Sequence, residues 1–231
     1  MTDLSKSTDL SNLSIGSVIS FGSYNNTPLQ WYILDNDTIN HRYLLLSVDI
    51  LEKRPYYEPY NLQFWLEENN TRKYFNGPVK AYMCITYAKS TIRSWLNGYG
   101  PAENKEDHDY SLSNFISNAF TIEERARISS VEIINDNNPK HGTPGGVNTT
   151  DKVFLLSITE LNSLRLKVND DFKFSFDSAR WRLRTPSHFK WRAAYVDHMY
   201  NRDHPLCINY DGQDVCDKHT GIRPALWLNY E

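Results

Sequence analysis

What this chain lacks excludes several architectures. It has three cysteines, an odd number with no Cys-x-x-Cys pair, so no disulfide framework organises it. No apolar run approaches the roughly 20 residues needed to cross a bilayer, so membrane insertion is not expected. The opening MTDLSKSTDLSNLS has no basic segment followed by an apolar one. No signal peptide is therefore read, and a cytoplasmic or virion-associated protein is expected. Neither Gly-x-x-x-x-Gly-Lys-Ser/Thr nor Gly-x-Gly-x-x-Gly occurs, so no phosphate-cradling loop is indicated. A net charge of −3 argues against a general nucleic-acid binder.

What is present fits one large domain. The chain has 231 residues, 40% hydrophobic and 13% aromatic, enough for a real core. Residues 1–14 are rich in Ser, Thr and Asp and are expected to fray. Three short apolar runs follow, IGSVISFGSY (15–24), LQWYILDN (29–36) and RYLLLSVDIL (42–51). The Asn/Asp/Pro clusters between them favour turns, so the stretch predicts a β-meander.

The middle of the chain predicts helices. Ser90 opens STIRSWLN, where Ile92, Trp95 and Leu96 recur at helical spacing. Thr121 with Glu124, and Ser157 with Glu160, have the spacing of capping boxes, so a helix is expected to start at each. Between those two points lies NDNNPKHGTPGGVNTT (135–150), sixteen residues of turn formers; a loop that long is either functional or mobile, or a solvated excursion, and the solvated excursion is the reading favoured.

From residue 180 the pattern changes. RWRLR alternates, with Arg180, Arg182 and Arg184 on one face and Trp181 and Leu183 on the other. Such a face either offers a basic track to a single nucleic-acid strand or pairs its arginines with carboxylates. The chain closes in GIRPALWLN, an apolar strand, and both Trp181 and Trp227 are expected in the core. Between these anchors the aliphatics are few, and Ala193, Ala194, Val196 and Val215 are the expected internal pegs.

The segment HMYNRDHPLCINYDGQDVCDKH (198–219) holds three of the seven histidines and two of the three cysteines. Cys207 and Cys216, with His198, His204 and His219, are donor types that zinc accepts. Their spacing does not match the close ligand pairs of structural zinc sites, and no metal or other cofactor is assigned. No nucleophile signature surrounds Cys84, Cys207 or Cys216, and Cys84 sits in apolar AYMCITYA as an inert thiol. The remaining reading is a binding surface, because Phe189, Trp191, Tyr195, Tyr200 and Tyr210, interleaved with His and Arg, have the composition of binding hot spots.

The flanking motifs WRLRTP (181–186), AAYV (193–196) and GIRPALWL (221–228) resemble those of a bacterial and viral family. Its members carry Trp-Leu-Arg-Ser-Pro and Gly-Val-Arg-Pro-Ala-Leu-Trp-Leu there. ISFGSY, LQWYILD, YLLLSVDIL, STIRSWLN, AFTIEERARI and DKVFLLSITE follow in the same order, so the resemblance covers most of residues 15–230. That family is the variable proteins of diversity-generating retroelements, with a C-type lectin-like fold of the formylglycine-generating-enzyme type. The resemblance implies a single α+β domain over 15–231. It implies a variable ligand-binding region at about 187–220, displayed between buried pegs that also include Gly212 and Gly221.

In such proteins template adenines are copied with errors, so Asn codons turn into codons for Tyr, His, Asp, Cys, Arg, Phe and Ile among others. The resemblance thereby implies a variable surface of His188, Phe189, Trp191, His198, Tyr200, Arg202, His204, Cys207, Ile208, Tyr210, Asp211, Asp214, Cys216, Asp217 and His219. It further implies a non-catalytic, monomeric receptor whose partner is a protein on a cell or particle surface, with no nucleic acid. The enzyme relatives use a copper-binding cysteine pair, for which Cys207 and Cys216 are not in a comparable setting. The calcium motifs of sugar-binding lectins are absent. The alternative function is a metal and thiol enzyme of the formylglycine-generating type.

Overall fold

A computed structural model describes residues 2–3, 13–61, 85–167, 180–197 and 207–230, the side chains of 2–3 and 165–167 excepted. The expected meander is present as β2 (Val18–Tyr24), β3 (Thr27–Asp37) and β4 (Arg42–Ser47), paired antiparallel in order. Asn25 and Asn26 join β2 to β3 with φ of 51° and 61°. Asn is the side chain that tolerates this left-handed geometry in a two-residue hairpin. The N-terminal stretch expected to fray adds β1 (Thr2–Asp3), parallel to Ile19 and Ser20. Residues 4–12 lie outside the described residues.

After the short β5 (Glu52–Lys53), the chain builds α1 (Thr91–Asn97). Ser90 caps it by accepting from the Arg93 amide, and Gly98, at φ 72°, ends it. Helices α2 (Phe115–Ala119) and α3 (Ile122–Arg127) follow, and Thr121 and Glu124 form the capping box reciprocally. Strands β6 (Val131–Ile133) and β7 (Thr149–Asp151) pair at the base of the long loop. Strand β8 (Val153–Phe154) leads into α4 (Ile158–Lys167). Its box is also made, with Ser157 N–H donating to Glu160 Oε2 (2.9 Å) and Glu160 N–H donating to Ser157 Oγ (3.0 Å).

The C-terminal third supplies β9 (Trp181–Pro186), β10 (Arg192–Asp197), β11 (Cys207–Asp214), β12 (Gly221–Ile222) and β13 (Ala225–Asn229). A six-stranded sheet runs β1-β2-β3-β4-β13-β8, and a five-stranded sheet runs β11-β10-β9-β12-β5. The fold is α+β.

Gly-Ile-Arg-Pro-Ala-Leu-Trp-Leu is the crossover between the two sheets, with β12 in one and β13 in the other. Pro224 sits at the crossing, where no ladder donor is needed, and its carbonyl accepts from Ser47 N–H. Arg223 is 2% exposed and donates to the Ser47 and Val48 carbonyls (2.9 and 2.5 Å). Its guanidinium also lies 5.3 Å from the Trp181 ring centre.

Alternation along RWRLR does not make one wet face. Trp181, Arg182, Leu183 and Arg184 are all buried, because β9 lies inside its sheet and is covered on both sides. Arg182 and Arg184 are therefore internal tethers rather than a basic track. Trp181 is core as expected. Trp227 is only half-buried, with the Arg42 guanidinium 4.8 Å over its ring.

Candidate functional site

The five-stranded sheet carries, in β10 and β11, described parts of the segment expected to be variable. All six expected pegs, Ala193, Ala194, Val196, Gly212, Val215 and Gly221, are buried. Gly212 adopts φ 67°, and a Cβ there would lie 2.3 Å from Ser187 Cβ and 2.6 Å from the Ala193 carbonyl oxygen. Only glycine satisfies both the backbone angle and the close approach. The bulge in the β10–β11 register around Ala194 falls in the same region.

Around those pegs the candidate residues divide into three groups. His188, Asp211 and His219 are exposed, while Phe189, Cys207, Ile208 and Tyr210 are partly exposed above the core. Asp214, Cys216 and Asp217 are drawn into the turn that closes over Arg182. Asp214 accepts from Cys216 N–H (2.8 Å), and Asp217 Oδ2 accepts from Thr220 N–H (2.9 Å). Arg182 donates to the Asp214 and Asp217 carbonyls (3.1 and 2.8 Å). His198, Tyr200, Arg202 and His204 lie outside the described residues, as does Cys84.

Two expected surface aromatics are corrected. Trp191 is 2% exposed, and its ring stacks on Phe189 at 4.9 Å and 16°. It closes the β9–β10 turn and packs inward, so it is core. Tyr195 is 5% exposed, lies under the Arg180 guanidinium, and its hydroxyl accepts from Asn209 Nδ2 (3.0 Å). In a tight β-turn, pattern alone does not decide which aromatic turns inward.

The loop 135–150 is not a solvated excursion. Asn138, 1% exposed, donates through Nδ2 to the Pro186 carbonyl (2.8 Å) and the Tyr210 carbonyl (3.2 Å). Its Oδ1 accepts from the amides of Lys140 (2.9 Å) and His141 (3.0 Å). Thr143 Oγ1 donates to the His188 carbonyl (3.2 Å). The loop thus buttresses β11 and the turn after β9, and it adds His141 and Lys140 to the surface. Sequence reading missed both; the one available signal was the Asn and Thr content of the loop, which suits side chain to backbone bonding.

At the resulting junction His141 Nε2 is 2.8 Å from Asp211 Oδ1, and His141 Nδ1 is 3.0 Å from His188 Nδ1. Lys140 Nζ is 3.5 Å from the same Asp211 oxygen. The hydrogen bond from His141, then the charge of Lys140, hold the Asp211 carboxyl below its ordinary range. The histidine and phenylalanine rings of 188 and 189 meet edge to face at 4.5 Å.

The cysteines do not make a reactive pair. Cys207 starts β11 and Cys216 lies beyond its end, so extended backbone separates them by roughly 20 Å. Burial, and then the neighbouring Asp214 carboxylate, push the Cys216 thiol well above its ordinary range, opposite to what a thiolate nucleophile requires. Arg182, almost wholly buried, has its pKa lowered to about 10 by desolvation, against the pull of Asp217 and Asp214. Among the described residues no three of His, Cys, Asp and Glu converge on a metal position, and no helix is long and apolar enough to cross a membrane.

Residues 40–230 match the protein family described as a domain of unknown function (DUF6273), and the chain belongs to that family. No curated protein and no solved structure matches the chain.

Proposed function

We propose that the protein is a non-catalytic, ligand-binding receptor that displays variable side chains on a C-type lectin-like scaffold of the formylglycine-generating-enzyme type, in the manner of a retroelement variable protein. The observation that carries this reading is the division of labour in 187–221. Six small or branched pegs are buried, while His188, Asp211, His219, Ile208 and Tyr210 reach solvent between them from strand and turn backbone. Exposed positions on such a frame change within about ±0.5 kcal/mol each. A rigid frame also keeps the ordering cost of binding small.

Two further features favour this reading over the alternatives. The enzyme alternative needs cooperating thiols, and Cys207 starts β11 while Cys216 lies beyond its far end with its thiol desolvated. The nucleic-acid alternative needs Arg182 and Arg184 at the surface, and both are buried and bonded internally. A folded protein partner on a cell or particle surface suits a face of mixed aromatic, His and Asp side chains better than a sugar does.

Sequencing the encoding locus tests the proposal. A nearby near-copy of the segment coding for 181–228, differing only where the copy has adenine, is the expected result. The differing codons should fall at exposed or partly exposed positions such as 188, 210 and 211, and should spare 193, 194, 212 and 215. A locus with no such repeat and no reverse transcriptase would overturn the retroelement reading.

A further inference from the structure

We infer that His141 and His188 form a binding site for a divalent transition metal of the zinc class, with Asp211 positioning the first of the two rings. The three residues come from three separate segments: the loop 135–150, the turn after β9, and β11. Of the closely spaced His and Cys residues of 198–219, none that is described takes part.

The contacts of the cluster orient its ring nitrogens. Asp211 Oδ1 lies 2.8 Å from His141 Nε2, a contact that selects the His141 tautomer with N–H on Nε2 and Nδ1 as the ligating atom. That atom faces His188 Nδ1 at 3.0 Å. These two facing nitrogens are the donors a metal ion would take up, His188 offering Nδ1 in the tautomer that carries its proton on Nε2. Tetrahedral zinc with N ligands at about 2.0–2.1 Å requires the nitrogens to be about 3.3 Å apart, so the rings need separate by only a few tenths of an ångström.

Carboxylate, histidine and metal in series is the arrangement that fixes a ligating ring and raises its basicity. Both ligands sit on tethered backbone, His141 through its amide to Asn138 Oδ1 and His188 through its carbonyl to Thr143 Oγ1. The entropy of ordering the site is therefore met largely by the fold. His141 is 16% exposed at its side chain and His188 is exposed, so an ion reaches the site from solvent. Since no third protein donor converges there among the described residues, two coordination positions stay open for water or for a donor from a bound ligand. Use of those positions in ligand capture rests on the display reading above; metal binding by the chain alone does not.

The test is calorimetric titration of the full chain, tag-free and stripped of metal, with zinc alone. Saturable binding of one ion is expected, weakened at least tenfold in His141→Ala and in His188→Ala. Asp211→Asn should weaken it about tenfold, the loss usual for a carboxylate behind a ligating histidine. Cys207→Ser should leave it unchanged. Circular dichroism of each variant separates lost binding from lost fold, and His188→Gln, on an exposed turn, serves if an alanine variant is unstable. No binding by the folded wild-type chain, binding that survives both histidine substitutions, or binding lost with Cys207→Ser would each overturn the site. Failure here with an adenine-marked repeat at the locus would leave the display reading standing, and the converse result would leave the metal site standing.

Discussion

Arg184 and Glu160 meet as a two-bonded fork, Nη1 to Oε2 at 2.5 Å and Nη2 to Oε1 at 2.7 Å. The same guanidinium donates to the carbonyls of Leu155 (2.7 Å) and Ile134 (2.9 Å), and Glu160 also caps α4 through Ser157 N–H. One side chain on β9 therefore joins the five-stranded sheet to β8, to α4 and to the start of the 135–150 loop. A planar guanidinium can serve all of these acceptors at once because its donors point outward in a fixed fork.

Arg184→Lys should accordingly be poorly tolerated although it keeps the charge. An ammonium cannot fork, and Glu160 would lose its partner while a third of its side chain remains exposed. A cost of about 3 kcal/mol is expected, the low end for breaking a buried pair. Glu160→Gln removes the counter-charge of a guanidinium that is 1% exposed and supplies one acceptor where the fork uses two, so it should cost at least as much. Urea unfolding of the two variants measures both, and a lysine variant within about 0.5 kcal/mol of wild type, inside the range of surface changes, would mean that the fork does not join these elements.

The three aromatic positions 181, 227 and 210 should separate by burial rather than by size. Trp181 is 1% exposed inside the second sheet, so Trp181→Ala should cost about 3–5 kcal/mol. Trp227 is half-buried beneath Arg42 and should cost less when truncated. Tyr210→Ala should change stability little while altering ligand capture. Equal losses at 181 and 210 in thermal melts would mean that the display segment is core.

Much of this order was visible in the residues themselves. The meander, Ser90, both capping boxes and the pegs at 193, 194, 196 and 215 are local signals: periodicity, cap spacing, and small residues in a polar run. What remained hidden depends on long-range partners. Trp191 turns inward with its ring stacked on Phe189, and no spacing encodes that. His141 and His188 are 47 residues apart and meet only because Asn138 and Thr143 pin the loop to β9 and β11. Arg182 and Arg184 are buried because β12 crosses beside β9, a fact of topology that alternation cannot express.

Asp214 should make the stability depend on pH in a defined direction. Burial raises its carboxyl above the ordinary range, ahead of the opposing Cys216 amide and Arg182 charge. A group whose folded pKa exceeds its unfolded one favours the fold fully below the unfolded value. That contribution is lost as pH rises through the folded value. Asp214→Asn keeps an oxygen acceptor for Cys216 N–H and has no charge to bury. It should therefore match wild type in strong acid and be at least as stable at neutral pH, where the aspartate is ionised. A neutral-pH melting temperature well below wild type would mean that the charge on Asp214 is needed by Arg182.

Asn138 should decide whether the long loop is part of the binding surface or merely rests on it. Its amide spans the gap in both directions, donating to the Pro186 and Tyr210 carbonyls and accepting from the Lys140 and His141 amides. Asn138→Ala removes all four bonds and leaves buried backbone groups without partners. Each such group costs about 1–3 kcal/mol when nothing replaces the bond, though water entering a surface loop recovers part of it. A loss of about 2–3 kcal/mol is therefore expected. The more telling readout is hydrogen exchange, which should quicken at the amides of 140–143 and 187–188 and leave β3 and β4 protected. Asn138→Asp sharpens the test, because a carboxylate would face two carbonyls where the amide donates, and it should be worse than alanine. If exchange in the loop is already fast in the wild-type chain and neither variant changes it, the loop does not hold His141 against His188. The surface would then consist of β11 and the turn after β9 alone.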